Sequence, residues 1–167
     1  MLRELLRCMN HAYLLTGGNL GDRKQMLSKA LTYIEQRCGH VVQTSSFYST
    51  AAWGKEDQPD FYNQCLHVET ELSASDLMNA LLQIEADLGR VRNEPMGPRF
   101  IDIDILFFNN EIVDEEHLHI PHPRLHLRKF VLEPLEEIAP DLLHPVLQKT
   151  VSQLLVECGD PLDVHKI

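Results

Sequence analysis

In Gly97-Pro98-Arg99-Phe100-Ile101-Asp102-Ile103-Asp104-Ile105, two carboxylates stand where apolar residues are expected. Read as a strand, the segment projects Asp102 and Asp104 from one side and Ile101, Ile103 and Ile105 from the other, into a core. Neighbouring carboxylates repel each other and are costly to half-bury unless a cation sits between them. Mg2+ suits such a pair, because it is a hard ion often held by one or two carboxylates plus substrate phosphates. Arg99 lies close enough in sequence to reach those phosphates. An exposed edge strand with a solvated aspartate face accounts for the same pattern. Arg90 and Arg92 follow Gly89, a short loop before Arg99, so forked donors flank the aspartates. Guanidiniums grip phosphate bidentately. The set suggests a polyanion that needs both metal and arginine, against the alternative of a solvated loop paired with its acidic neighbours.

Other residues near these in sequence carry further chemistry. In Gln58-Pro59-Asp60-Phe61-Tyr62-Asn63, Phe61 and Asn63 share a strand face. A flat heteroaromatic ring would stack on the phenyl and present its edge to the amide; a core aromatic beside a turn asparagine is the plainer reading. Pro121-His122-Pro123-Arg124-Leu125-His126-Leu127-Arg128-Lys129-Phe130 is a basic loop ending in an aromatic, suited to phosphates. His117, His119, His122 and His126 suggest zinc, but no HExxH pattern supports it. Glu85 falls one helical turn before Gly89, where it either points into the same cleft or is solvated. The turn Gly17-Gly18-Asn19-Leu20-Gly21 precedes a helix and so could seat a phosphate. It lacks the ending of a P-loop and the spacing of a dinucleotide fingerprint, and a structural turn explains it better.

The elements that must hold these residues follow from pattern. Ala12 to Thr16 predicts a first strand. Asp22 caps a helix whose apolar positions are Met26, Leu27, Ala30, Leu31 and Ile34, with Gly39 at its end. Val41 to Tyr48 and Phe61 to Leu72 predict the second and third strands. Ser73 caps a second helix through Leu77, Ala80, Leu81, Ile84 and Leu88, ended by Gly89. Phe100 to Phe108 is the fourth strand; Asn109-Asn110 turns into a short strand around Ile112. Short helices are expected near Leu132–Ile138 and Val151–Val156. The order is βαββαβ, a ferredoxin-like α+β sandwich with helices on an antiparallel sheet, plus extra C-terminal elements.

The 167 residues suffice for one domain with its own core, taken as 1–167 with 1–8 a dispensable extension, since Met9 offers an alternative start. A net charge of −10 argues against nucleic-acid binding. Four scattered cysteines without a CxxC pair argue against a cysteine zinc site or a disulfide framework. No membrane span or signal-peptide core is visible, so a cytoplasmic protein is expected.

Taken together and in order, these motifs resemble the 6-hydroxymethyl-7,8-dihydropterin pyrophosphokinase family from about Ala12 to Leu147. The carrying segments are Thr16-Gly17-Gly18-Asn19-Leu20-Gly21-Asp22, Asp57-Gln58-Pro59-Asp60-Phe61-Tyr62-Asn63, Gly89-Arg90-Val91-Arg92, Gly97 through Ile105, Ile120-Pro121-His122-Pro123-Arg124, and Arg128-Lys129-Phe130-Val131-Leu132-Glu133-Pro134-Leu135. The resemblance implies pyrophosphate transfer from ATP to a pterin hydroxymethyl group, releasing AMP, in a monomer that uses two Mg2+ ions. It places the metals on Asp102 and Asp104. It gives Arg90, Arg92, Arg99, His122 and Arg128 to the ATP phosphates, with Glu85 and Ile105 on the nucleotide side. For the pterin it implies Asn63 at the ring edge, Phe130 and Phe61 beside the ring, and backbone around Thr50 and Ala52 at the other polar edge. The chain departs from the family at Asn93-Glu94-Pro95-Met96, one residue short and without the usual Arg-Trp, and at Thr50-Ala51-Ala52, where Thr-Pro-Pro is usual. A metal-dependent phosphohydrolase using the same aspartates and a non-catalytic nucleotide-binding module are the competing readings.

Overall fold

The computed structural model describes residues 8–52, 57–90 and 97–167. β1 (Asn10–Gly18) runs into a turn at Gly21 and then α1 (Arg23–Arg37), where the Asp22 carboxylate accepts Gln25 N–H at 3.1 Å. β2 (His40–Thr44), β3 (Tyr48–Thr50) and β4 (Phe61–Thr70) follow. α2 (Ala74–Asp87) starts on Ser73, whose hydroxyl accepts Asp76 N–H, and leads to β5 (Asp102–Phe108). β6 (Val113–Glu115) and β7 (Leu118–Ile120) form a separate hairpin. A 3-10 turn (Leu125–Leu127), α3 (Lys129–Ile138), α4 (Val151–Glu157) and β8 (Val164–Lys166) complete the chain. No described helix is long and apolar enough to cross a membrane.

The main sheet is antiparallel, in the order β5-β1-β4-β3-β8, with β2 also on β4. This is the ferredoxin-like βαββαβ arrangement. The strand expected over Val41 to Tyr48 is broken in two. At the break the Ser45 hydroxyl accepts Cys65 N–H at 2.9 Å, so a side chain takes over one rung of the ladder. β2 and β3 lie end to end along β4, opposite residues 66–69 and 61–63. The fourth strand starts at Asp102 rather than Phe100, and Ile112 is exposed ahead of β6.

Each face of the sheet carries its own core. On one, Leu14, Leu66, Ile103 and Ile105 pack under Leu27 and Ile34 of α1 and Leu77, Leu81 and Ile84 of α2. On the other, Leu15, Cys65, Leu106 and Phe107 meet Leu132 and Leu135 of α3 and Leu154 of α4. A bulge in β5 permits this: Leu14 lies opposite Ile105 and Tyr13 opposite Phe107, leaving Leu106 unopposed. Leu106 and Phe107 therefore both reach the second core, and α3 covers only part of that face. The uncovered part, between the start of α3 and the ends of β5, β1, β4 and β3, forms a cleft.

Candidate active site

Strand alternation puts Ile101, Ile103 and Ile105 in the first core, each under 5% exposed, and turns Asp102 and Asp104 to the cleft. Asp102 pairs with Gly17, and Asp104 with Leu15. Behind them, Gly89 at φ +88 ends α2 and releases Arg90 toward the strand. Arg90 Nη1 donates to Asp102 Oδ1 at 2.6 Å and lies 2.8 Å from Glu85 Oε2. Glu85 is 3% exposed; its Oε1 accepts Ile103 N–H at 2.7 Å, tying α2 to β5. Burial pushes the Glu85 carboxyl above its ordinary range, against the pull of Ile103 N–H and Arg90. Arg99 Nε lies 3.3 Å from Asp102 Oδ2, while its Nη1 donates to Gly97 O at 2.9 Å.

Asp104 is disfavoured as an anion where it stands in the cleft. Burial raises its pKa, and Asp102 and Glu85 raise it further, against the opposing pull of Arg90 and Arg99. Among the described residues no group of three or more His, Cys, Asp or Glu is arranged to hold a metal. A cation on Asp102 and Asp104 would therefore complete its shell with other oxygens. Two carboxylates open to a cleft, beside a third, make a donor set that fits a hard divalent ion.

The other half of the cleft is lined by aromatic and amide side chains. Phe61 and Asn63 alternate on β4 as the sequence pattern requires, and Phe130 approaches from the first turn of α3. Asn63 is 4% exposed, and its Nδ2 has no hydrogen-bond partner. A buried amide N–H2 left unpaired costs ~1–3 kcal/mol, which an acceptor on a ligand would recover. Arg99 lies over the Phe61 ring at 4.9 Å and Arg128 over the Phe130 ring at 5.5 Å. Each cation thus stands where a phosphate-bearing ligand and an aromatic one would meet.

The cleft gathers Asp102, Asp104, Arg99, Arg128, Phe61, Asn63, Thr50 and Phe130, and sets Arg90 and Glu85 directly behind Asp102. Three further residues assigned from the sequence, Ile105, Ala52 and His122, are not among those that line the cleft. Ile105 is 2% exposed in the first core, because its register on β5 points its side chain away from the aspartates. Ala51, rather than Ala52, lines the cleft beside Thr50. His122 donates its backbone N–H to Leu106 O at 3.0 Å and lies within electrostatic reach of Arg128 and Asp102. Burial, and then Arg128, depress its pKa to about 4, so its ring is neutral. Arg92 and Asn93 to Met96 lie outside the described residues.

Sequence reasoning missed Asn19, Leu15 and Gly17. Asn19 is 1% exposed and joins three loops. Its N–H donates to Arg99 O and its Oδ1 accepts Arg99 N–H, both at 3.0 Å, while its Nδ2 donates to Gln58 Oε1 at 3.0 Å and Pro59 O at 3.1 Å. The glycine turn is therefore structural: it holds the Arg99 loop against the loop that leads into Phe61. Glycine is required beside it, since a Cβ on Gly18 would come within 2.2 Å of Phe100 O. Backbone cannot yield as a side chain would. Gly18→Ala is expected to cost about 1–3 kcal/mol, read as a lower midpoint in denaturant.

Fold and cleft together define a ferredoxin-like α+β protein whose open sheet face joins a carboxylate and guanidinium site to an aromatic and amide slot. A family model described as 7,8-dihydro-6-hydroxymethylpterin-pyrophosphokinase matches residues 13–140, and the chain belongs to that family. It is 43% identical over 157 residues to the 2-amino-4-hydroxy-6-hydroxymethyldihydropteridine pyrophosphokinase of Haemophilus influenzae, covering 93% of this chain and 95% of that one. It is 38% identical over 158 residues to the folic acid synthesis protein FOL1 of Dictyostelium discoideum, covering 95% of this chain but 24% of that longer protein. Among solved structures, the wild-type Plasmodium falciparum HPPK-DHPS with pterin and p-hydroxybenzoate superposes with a TM-score of 0.72 at 20% identity. That match covers 89% of this chain and 42% of the other, and it supports the fold.

Proposed function

We infer that this chain transfers pyrophosphate from ATP to the hydroxymethyl group of 6-hydroxymethyl-7,8-dihydropterin, releasing AMP, in folate synthesis. Family membership carries the reaction. The observation on the chain itself that supports it best is the unpaired Asn63 amide, in the same cleft as the aspartate pair. A phosphohydrolase needs the aspartates but no ring slot, and a nucleotide-binding module needs neither the pair nor the slot; the family favours neither.

In this reading Asn63 donates from Nδ2 to the pterin edge, with Phe61 and Phe130 beside the ring. Thr50 and Ala51 close the slot. Asp102 and Asp104 would hold Mg2+, two ions by family resemblance, and the metal would supply charge to orient phosphate oxygens and polarise the acceptor hydroxyl. Arg99 and Arg128 face the same space and offset charge on the phosphates. Arg90 acts from behind, fixing Asp102 and Glu85. The pterin hydroxyl oxygen bonds to the β-phosphorus, the bond to the bridging oxygen breaks, and AMP leaves with the electron pair; the hydroxyl proton passes to water. Such transfers depend on positioning and on charge placed in advance.

Incubation with ATP, Mg2+ and the reduced pterin tests this reading. AMP that forms only when the pterin is present is the expected result. Phosphate released without the pterin would point to the hydrolase, and no turnover to the binding module.

A further inference from the structure

We propose that Asp160 is a positioning residue for the ring slot, fixing the start of α3, and with it Arg128 and Phe130, from the C-terminal tail. The proposal rests on the functional reading above. The family match ends at residue 140, so the tail lies beyond it.

The first turn of a helix exposes backbone N–H groups that need acceptors. α3 begins at Lys129, and the residue in its N-cap position, Arg128, has no acceptor on its side chain. The acceptor comes from 31 residues away: Asp160 Oδ2 takes Lys129 N–H at 3.0 Å. Its other oxygen, Oδ1, takes Leu162 N–H at 3.0 Å, which folds the tail back on itself. Asp160 is 7% exposed. Its negative charge sits at the positive end of the α3 dipole, where an anion is favoured. It also acts on Arg128, whose pKa burial and Arg124 lower and Asp104 and Asp160 raise.

The same tail grips the opposite wall. Thr50 Oγ1 donates to Asp163 O at 3.1 Å, and β8 pairs with β3 from Thr50 and Val164 to Tyr48 and Lys166. Ile167 N–H donates to Phe47 O at 2.9 Å. The tail thus binds both sides of the slot, the end of β3 at Thr50 and the start of α3 at Phe130, and sets their separation. Without Asp160, Lys129 N–H loses its acceptor and the first turn of α3 is free to fray, carrying the Phe130 ring with it.

The test is calorimetric binding of 6-hydroxymethyl-7,8-dihydropterin to the full chain and three variants: Asp160→Ala, Asp160→Asn and Thr150→Ala. Thr150→Ala removes the capping box of α4, away from the slot, and serves as the control for a loss that is only structural. Asp160→Ala should weaken pterin binding about fivefold or more, the scale on which a lost helix cap acts. Thr150→Ala, at a comparable fall in Tm, should leave it unchanged. Asp160→Asn keeps one acceptor oxygen and should fall between wild type and Asp160→Ala; if Asp160→Ala does not fold, Asp160→Asn weaker than Thr150→Ala supports the proposal. Wild-type affinity in both Asp160 variants, or equal weakening by Thr150→Ala, overturns it. A wild type that binds no pterin overturns the functional reading and this proposal together.

Discussion

Asp104→Ala should reduce pterin-dependent AMP release by at least two orders of magnitude in saturating Mg2+ while leaving the fold intact. Removal of one charge placed in advance for the transition state commonly costs ~3 kcal/mol, and Asp104 is half of the pair that would share the cation. The effect on stability should differ in sign. In the folded protein, burial, Asp102 and Glu85 all oppose ionisation of Asp104. An apolar replacement removes that penalty, so the Tm should stay at or above that of wild type without Mg2+. Added Mg2+ should raise the Tm of wild type more than that of the variant, because an ion bound only by the folded state stabilises it. Near-wild-type AMP release, or a loss of activity that tracks a fallen Tm, would refute the metal assignment.

Asn63→Ala and Phe130→Ala should separate the two substrates. Each residue faces the ring half of the cleft, away from Arg90 and Glu85. In Asn63→Ala the unpaired Nδ2 disappears, and with it the donor offered to the ring edge. One such bond to a buried group is worth ~1–3 kcal/mol, so pterin Kd should rise by about tenfold or more. Phe130→Ala removes aromatic contact worth ~0.5–1.5 kcal/mol beyond its buried area. ATP binding should change little in either variant. Calorimetry with each ligand alone decides the matter; equal losses for both ligands would sink the division of the cleft into two halves.

How far the sequence led depended on the range of the interactions involved. The alternation of Asp102 and Asp104 with isoleucines is set by strand geometry, so the core face and the cleft face of β5 are both legible in the order of residues alone. The caps Asp22 and Ser73 are local signals of the same kind. Ser45 was illegible because its role depends on Cys65, a partner 20 residues away. Asn19 reads as a turn residue; its work is done on Arg99 and Gln58, 80 and 39 residues distant. β8, too short to show a period, forms because β3 offers it an edge. The side chain of Ile105 goes to the core, as its alternation with the aspartates requires, so the nucleotide-side place that the resemblance gives it would rest on its backbone.

The most direct test of the central claim is to follow ATP, Mg2+ and 6-hydroxymethyl-7,8-dihydropterin over the protein by phosphorus NMR. Attack at the β-phosphorus predicts AMP and a pterin diphosphate ester growing in equal amounts, with none of either when the pterin is left out. ADP with a pterin monophosphate, or inorganic phosphate that appears without the pterin, would contradict it.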